Sequence, residues 1–538
     1  MSYVHIKKTK SGNYHYRVES YWDKKLQQPR QHSVYIGKED PATGEVKPIH
    51  DRLRPPIPDR VLDYGHVTVC RFLAERQGIL SALRNAFDVD TAELVFLLAV
   101  FLIAEELPLY IFERWIEGVK HEFNGKKSAW TSKGISELLK RLGENNGARL
   151  RFQKEVATNN REAGCTALID ATSISTYSTL DGWAAWGHNR DGESLPQVNL
   201  QLASLEPGGF PVTLRIIEGS IPDVSTLLNA IKLLQSLDIK APRVVVDRGY
   251  FSKANLERLA QAGAKVLIPV PSHNSLCTNA LKIYGKSIKK ASNAFTDNDD
   301  TFYHFAFDTE HAGQKYRAHL YLNQSRQVAE TGRFLAQIER VERDFVAEPP
   351  HSKKEAFARL AELLPKSKIR LLRVVGEPDG TWRIERKAKA IARQLNRLGY
   401  ILIITDDFGL SGLEVLSTYR SRDAVEKLFD NLKNALELDR LRVHSAETAE
   451  GKLFVVLISM MLHSLLQKSL AASKQELGRR VCPREALVDF RRIKFLSLPN
   501  GASIFSELCK RQRIILRLLG VPESILTSEP PSGKKISN

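Results

Sequence analysis

What this chain lacks narrows its chemistry. Its five cysteines, at positions 70, 165, 277, 482 and 509, form no Cys-x-x-Cys pair and have no histidine in metal-ligand spacing nearby. Neither a zinc site nor a disulfide framework is indicated, and a reducing compartment is expected. There is no P-loop and no dinucleotide fingerprint, so ATP is not implied, and there is no internal repeat. The longest apolar runs, 94–104 and 453–466, fall short of a bilayer span and read as buried core helices, so no membrane partner is expected. The opening MSYVHIKKTK lacks the apolar segment of a secretory signal, which points to the cytoplasm. Acidic residues are in deficit: 62 Asp and Glu against 79 Lys and Arg leave a net charge of +17. That excess favours a polyanionic partner, although a ribosome-associated or membrane-surface protein would fit it as well. At 538 residues, 43% hydrophobic and 26% charged, the chain has the makeup of a globular protein of several domains.

The most informative stretch is 418–436, TYRSRDAVEKLFDNLKNAL. Read as one helix at about 100° per residue, it places Tyr419, Arg422, Glu426 and Lys433 within roughly 60° of one another. Val425, Leu428, Leu432 and Leu436 gather on a separate face suited to packing on a core. A solvated face with an Arg422–Glu426 pair at i,i+4 would look the same over one turn. A catalytic reading requires two further acids, on strands.

Two are available. The apolar run 165–169 delivers Asp170, and the short apolar strand 243–246 ends at Asp247. Strands at 197–205 and 211–217 flank the turn sequence Glu206-Pro207-Gly208-Gly209; helices at 224–237 and 252–262 and a strand at 265–270 complete the order. Three strands, helix, strand, helix, strand is the element order of a ribonuclease-H-like mixed sheet, in which the first and fourth strands are adjacent. An aspartate ending a strand is more often a turn former or helix cap; Asp170 and Asp247 become candidates together, because that topology lets their carboxylates meet. Asp406 and Asp407 read as a turn or helix start, and Asp181, Asp191 and Asp223 lie in loop-like sequence.

Six parts are expected: a β-rich basic segment at 1–54, a helical region at 55–160, an α/β core at 161–270 plus 400–437, an insertion at 271–399, a helical extension at 438–527 and a disordered tail at 528–538. The N-terminal strands mix Lys7, Lys8, Lys10, Lys24, Lys25 and Arg30 with Tyr14, Tyr16, Tyr21 and Trp22, which suits either DNA contact or edge-strand protection against aggregation. Pro55, Pro56 and Pro58 mark a boundary. Thr131 caps an amphipathic basic helix that is either an ordinary surface helix or the second helix of a helix-turn-helix. Within the insertion, strands are expected at 301–307 and 316–322, helices at 324–346 and 353–364, and a hairpin around Pro378-Asp379-Gly380. After 436, helices are expected at 447–468, 484–493 and 504–519.

On these residues the chain resembles the DDE transposases of bacterial insertion sequences, in the group with a tyrosine–arginine–glutamate–lysine signature (the IS-four group). Tyr419, Arg422, Glu426 and Lys433 match it without departure in spacing, Asp247 is followed by Arg248-Gly249-Tyr250, and Asp170 by Ala171-Thr172. The likeness covers about 165 to 445. It implies cut-and-paste transposition with a hairpin intermediate, a homodimer on double-stranded DNA (the element's inverted repeats and the target), and a mainly β insertion. In relatives such an insertion holds a flipped base against an aromatic ring, for which Trp382 and Tyr303 are the candidates, a core role being the commoner one for each.

The chemistry follows from the three acids. Phosphodiester hydrolysis needs an activated nucleophile and stabilisation of negative charge, and two Mg²⁺ ions about 4 Å apart, with Mn²⁺ as substitute, meet both needs. Asp170, Asp247 and Glu426 are hard oxygen ligands for such ions. Arg422, Lys433 and Tyr419 are then expected on DNA phosphates. A nuclease without joining activity, or an inactive DNA-binding relic, would share these features.

Overall fold

The computed structural model describes residues 2–23, 26–48, 57–161, 165–177, 180–186, 195–219, 223–240, 242–297, 300–378, 380–434 and 443–527. Lys24, Lys25, the Pro55-Pro56 boundary, Asp191, Asp379, Leu436 and the tail at 528–538 lie outside the described residues, as do the side chains of Asp181, Asp223, Leu432 and Lys433. The chain divides into two compact units, one made of Met1–Val69, Ile116–Lys120 and Ala486–Asn538, the other of Cys70–Trp115 and His121–Glu485.

The first unit begins with an antiparallel meander, β1 Ser2–Thr9, β2 Gly12–Asp23, β3 Gln28–Glu39 and β4 Val46–Pro48, paired in chain order. Alternation in β2 sends Tyr14 and Tyr16 to the ring of Tyr35, at 6.1 and 5.2 Å between centroids, a cross-strand cluster of the kind that holds thin sheets together. All of β1 is exposed, leaving Tyr3, Val4 and Ile6 in solvent. A further strand of this unit, β5, covers Arg60–Asp63.

The second unit contains the main sheet. Its strands are β6 Thr166–Ser175, β7 Gln197–Leu205, β8 Phe210–Glu218, β9 Arg243–Val245, β10 Lys265–Pro269, β11 Ala294–Asp297, β12 Asp300–His311 and β13 Gln314–Asn323; after a separate hairpin of β14 Leu372–Gly376 and β15 Trp382–Arg386 comes β16 Tyr400–Thr405. The nine-stranded order is β11-β12-β13-β16-β10-β9-β6-β7-β8. β6, β7 and β8 form an antiparallel meander, whereas β9 runs parallel to both β6 and β10. Every residue of β6 and β7 is buried, including Gln197, Asn199 and Gln201, which alternate with apolar residues along β7. The β7–β8 turn carries Gly208 and Gly209 at φ +95° and +65°, values that a side chain would resist.

The helix Ala446–Ser469 lies against β8 and crosses Ser132–Glu144 and Val89–Glu105. A Cβ on Gly143 would stand 1.8 Å from the Glu447 carbonyl oxygen, and one on Gly451 1.8 Å from that of Leu139. The crossing is therefore backbone against backbone, and only glycine fits. The helical run continuing to Leu477 is longer than the apolar stretch in the sequence suggests: among the described residues it alone is long and apolar enough as a single helix to cross a membrane, and 78% of its apolar window is buried inside the protein. Burial of that kind is what a core helix shows.

The insertion differs from the mainly β one that the resemblance implies. Its β11–β13 extend the main sheet past β16, but the rest is largely helical, because Phe334, Ile338, Val341 and Phe345 recur at helical spacing along Gln324–Ala347 and form a core of their own with Leu360, Leu372 and Ile384. The expected helix at 504–519 also begins otherwise: 503–505 is strand β18, and only Lys510–Leu519 is helical. β18 pairs with β17, Lys494–Ser497, and β17 with β5, closing a three-stranded sheet in the first unit.

Candidate active site

Register brings the two aspartates level. Leu168 on β6 is the partner of Val245 on β9, and each acid lies two residues further on, Asp170 within β6 and Asp247 just past the end of β9. Asp247 precedes the 3₁₀ turn Arg248–Tyr250, yet its side chain makes no capping hydrogen bond, and the ordinary role of an aspartate at that place is thereby set aside.

The third acid arrives on a helix, although not the single one expected. Gly412–Arg420 and Arg422–Asn434 are separate helices with Ser421 between them. Tyr419 thus ends one, while Arg422 and Glu426 lie on the next. Val425, Leu428 and Phe429 are buried on the same helix beside Arg422, and the helix packs on β6.

All of this converges on one guanidinium. Arg422, 5% exposed, donates from Nη1 to Asp247 Oδ1 at 3.1 Å and from Nη2 to Glu426 Oε1 at 2.8 Å. The same Nη2 stands 3.5 Å from Asp170 Oδ2. The phenol of Tyr419 accepts from Nη1 at 3.2 Å, and its ring lies 5.6 Å below the guanidinium carbon. Burial works against the Arg422 charge, but Asp170, Tyr419, Asp247 and Glu426 outweigh it and hold its pKa above the ordinary value. Burial raises the Tyr419 pKa, so the phenol keeps its proton. Three carboxylates around one cation leave two formal negative charges uncompensated within the group. Asp170 is buried, whereas the Glu426 side chain is 56% exposed, so the group opens to solvent on the helix side.

Among the described residues, no set of three or more Asp, Glu, His or Cys side chains stands close enough to hold a metal ion; the three acids surround Arg422 instead of one another. The donor set is nevertheless all hard oxygen, the ligand type that divalent ions such as Mg²⁺ and Mn²⁺ take.

Other expected residues fall elsewhere. Asp407 accepts from Arg243 Nη2 at 2.5 Å and Lys265 Nζ at 3.0 Å, and Asp406 accepts from the Val266 amide at 2.7 Å. They tie β16 to its neighbours and do not start the helix, which is capped by Ser411 with Glu414. Trp382 packs on the insertion's own core, and Tyr303 lies on β12 opposite Leu322. The helix Ser132–Glu144 is capped by Thr131 and buries Ile135, Leu138, Leu139 and Leu142.

These observations define a mixed α/β protein with an acidic group at the centre of its main sheet. The family model described as "Transposase DDE domain" matches residues 162–462, over half the chain. The chain belongs to that family and is a DNA transposase; enzymes of this kind cut and join DNA and generally depend on divalent metal. No curated protein matches it. Among solved structures it is similar to the piggyBac transposase in a cryo-EM synaptic complex with hairpin DNA, at 11% identity over 88% of this chain and 78% of that one, with a TM-score of 0.33, a likeness too slight to bear on the site.

Proposed function

We propose that this transposase excises and joins an insertion sequence by cut-and-paste chemistry, with Asp170, Asp247 and Glu426 as its catalytic acids. The observation that carries the reading is the convergence of these three, from two strands and a distant helix, on the Arg422 guanidinium. Asp170, Asp247 and Glu426 would together hold two Mg²⁺ ions. Bound there, the ions supply Lewis acidity and a nucleophile at neutral pH.

The chain's own groups do the rest. Arg422, released from the acids, binds a phosphate beside the scissile bond, with Lys433 and the Tyr419 hydroxyl on neighbouring oxygens. The central order β8-β7-β6-β9-β10, three antiparallel strands followed by two parallel ones, supports a ribonuclease-H-like core. The Tyr419, Arg422, Glu426 and Lys433 spacing supports the IS-four group. A hairpin intermediate, a homodimer on paired ends, a nucleoid-associated cytoplasmic location and the six-part division of the chain belong to the same reading.

The test uses duplexes carrying the inverted repeats that bracket the gene. The wild-type chain is expected to nick and join them with Mg²⁺ or Mn²⁺, while Glu426→Gln binds them and does neither. Cleavage without joining would identify a nuclease; full cleavage by Glu426→Gln would remove the third acid from the site.

A further inference from the structure

A second charged feature of the same unit is a cleft of about 640 Å³ between the helix Ser275–Tyr284 and the end of the helix Ala388–Leu395. Lys282 and Lys286 line one wall, and Arg393 and Arg397 the other; no acidic side chain lines it. Lys282 and Arg393 lie on the two helices, and Lys286 and Arg397 just past their ends. The floor is fixed: Arg397 Nη2 donates to Thr278 Oγ1 at 3.3 Å, and the Tyr400 hydroxyl donates to the Gly285 carbonyl at 2.8 Å.

The cleft gathers four cations on one lining that carries no acid. Elsewhere in the insertion, Arg326 pairs with Glu330, Arg359 with Glu348, Arg383 with Glu377 and Arg386 with Glu342. Among the described residues, the four cations of the cleft have no ion-pair partner, and Lys282, Lys286 and Arg393 are exposed. Concentrating like charges in a concavity costs self-repulsion unless an anion is to be bound there.

Its location indicates which anion. β10 runs parallel to β9 and leads from Pro269 towards Ser275–Tyr284, while antiparallel β16 starts at Tyr400 in the cleft. The cleft therefore opens at the end of the sheet where β9 delivers Asp247, with Tyr400 two strands over, roughly 10 Å sideways, and about three residues, or roughly 10 Å, further along the strand direction. Duplex DNA presents one charge per about 1.7 Å of axis, so a duplex held at the acids carries phosphates across this distance.

We propose that the cleft is a second, non-catalytic phosphate-binding site that grips the backbone of duplex DNA engaged at the acidic group. The proposal rests on the transposase reading but not on which acids are catalytic. Each phosphate neutralised contributes about 0.9 to the slope of log K against log salt, so four contacts contribute roughly 3 to 4.

The test is fluorescence anisotropy of the full chain on a labelled duplex across a NaCl series. The combined variant Lys282→Gln, Lys286→Gln, Arg393→Gln and Arg397→Gln is expected to show a slope shallower by about 3 to 4. Because Arg397 also braces Thr278, a triple variant that keeps it serves as the folded control, with an expected change of about 2 to 3. Wild-type binding with slopes unchanged in both variants overturns the cleft alone. Wild type that binds no duplex overturns the functional reading and the cleft with it. Competition by ATP at the cleft with duplex slopes unaltered assigns it to a small phosphate ligand and also overturns the proposal.

Discussion

Arg422 and Asp247 are 175 residues apart in the chain, yet the arginine donates from Nη1 to the aspartate at 3.1 Å. The same guanidinium serves Asp170 and Glu426, so one buried cation holds together acids that would otherwise repel. Removing it takes one charged partner from the buried Asp170, and breaking a buried ion pair typically costs about 3 to 5 kcal/mol. Arg422→Gln should lower urea-unfolding stability by that order, and Arg422→Lys should recover only part of it, because an ammonium cannot fork between carboxylates. Mg²⁺ should raise the unfolding midpoint of Arg422→Gln more than that of wild type. An equal rise in both would mean that the cation and the metal do not compete for one place.

Asp407 is an acid of another kind. Arg243 and Lys265 hold it across three strands, and although burial opposes ionisation, these cations keep its pKa below the ordinary value. Its contribution to stability is therefore present above the unfolded value of 3.8 and lost as pH falls below that value. Asp407→Asn should cost about 1 to 3 kcal/mol near neutral pH. It should leave metal-dependent cleavage intact at a temperature where the chain stays folded. Lost cleavage in a folded Asp407→Asn chain would return this residue to the active site.

The paired glycines at the helix crossing set a packing limit. Gly143→Ala and Gly451→Ala each place a methyl group 1.8 Å from a backbone oxygen, and the helices must separate to admit it. Each should destabilise the chain by about 1 to 3 kcal/mol, and the pair together by less than the sum, because one separation relieves both clashes. Additive losses in denaturant unfolding would contradict a shared crossing.

Acid should weaken the fold through histidine. His319 is buried on β13, 3.0 Å from His304, and burial, aided by His304 and Arg317, lowers its pKa from 6.5 to about 4. Between those values the unfolded chain takes up a proton that the folded chain refuses, so stability is full above pH 6.5 and falls as pH drops towards 4. His66 and His463, also lowered to about 4 by burial, act in the same direction. His319→Gln should flatten, without abolishing, the decline of the urea midpoint between about pH 7 and pH 5. An unchanged decline would show that the His304–His319 pair is not among its sources.

Much of the architecture could be read directly. The strands and helices around Asp170 and Asp247 were legible because their apolar residues come in short runs or alternation separated by turn residues such as Pro207-Gly208-Gly209, and the insertion helix Gln324–Ala347 because its apolar residues keep helical spacing. The break at Ser421 was not, since Ser421 is neither glycine nor proline and the polar stripe continues across it. The start of 504–519 was misjudged because a three-residue strand leaves no periodic signal and is formed by its partner, β17. The cleft cations were present as two i,i+4 pairs, but counter-ions come from anywhere in the fold, and their absence has no signature in one dimension.

By itself, the sequence singled out Asp170, Asp247, Glu426 and Arg422 as candidates and gave the periodicity of the strands and helices that carry or precede them, because local spacing fixes local geometry. Only the tertiary structure decided that Asp170, Asp247 and Glu426 share one guanidinium, and that Asp407, which reads in the sequence as a turn or helix start, is spent on a lock between strands. Strand register and helix packing are long-range choices, set by which apolar faces bury one another, and residues 175 positions apart become neighbours only when those choices are made.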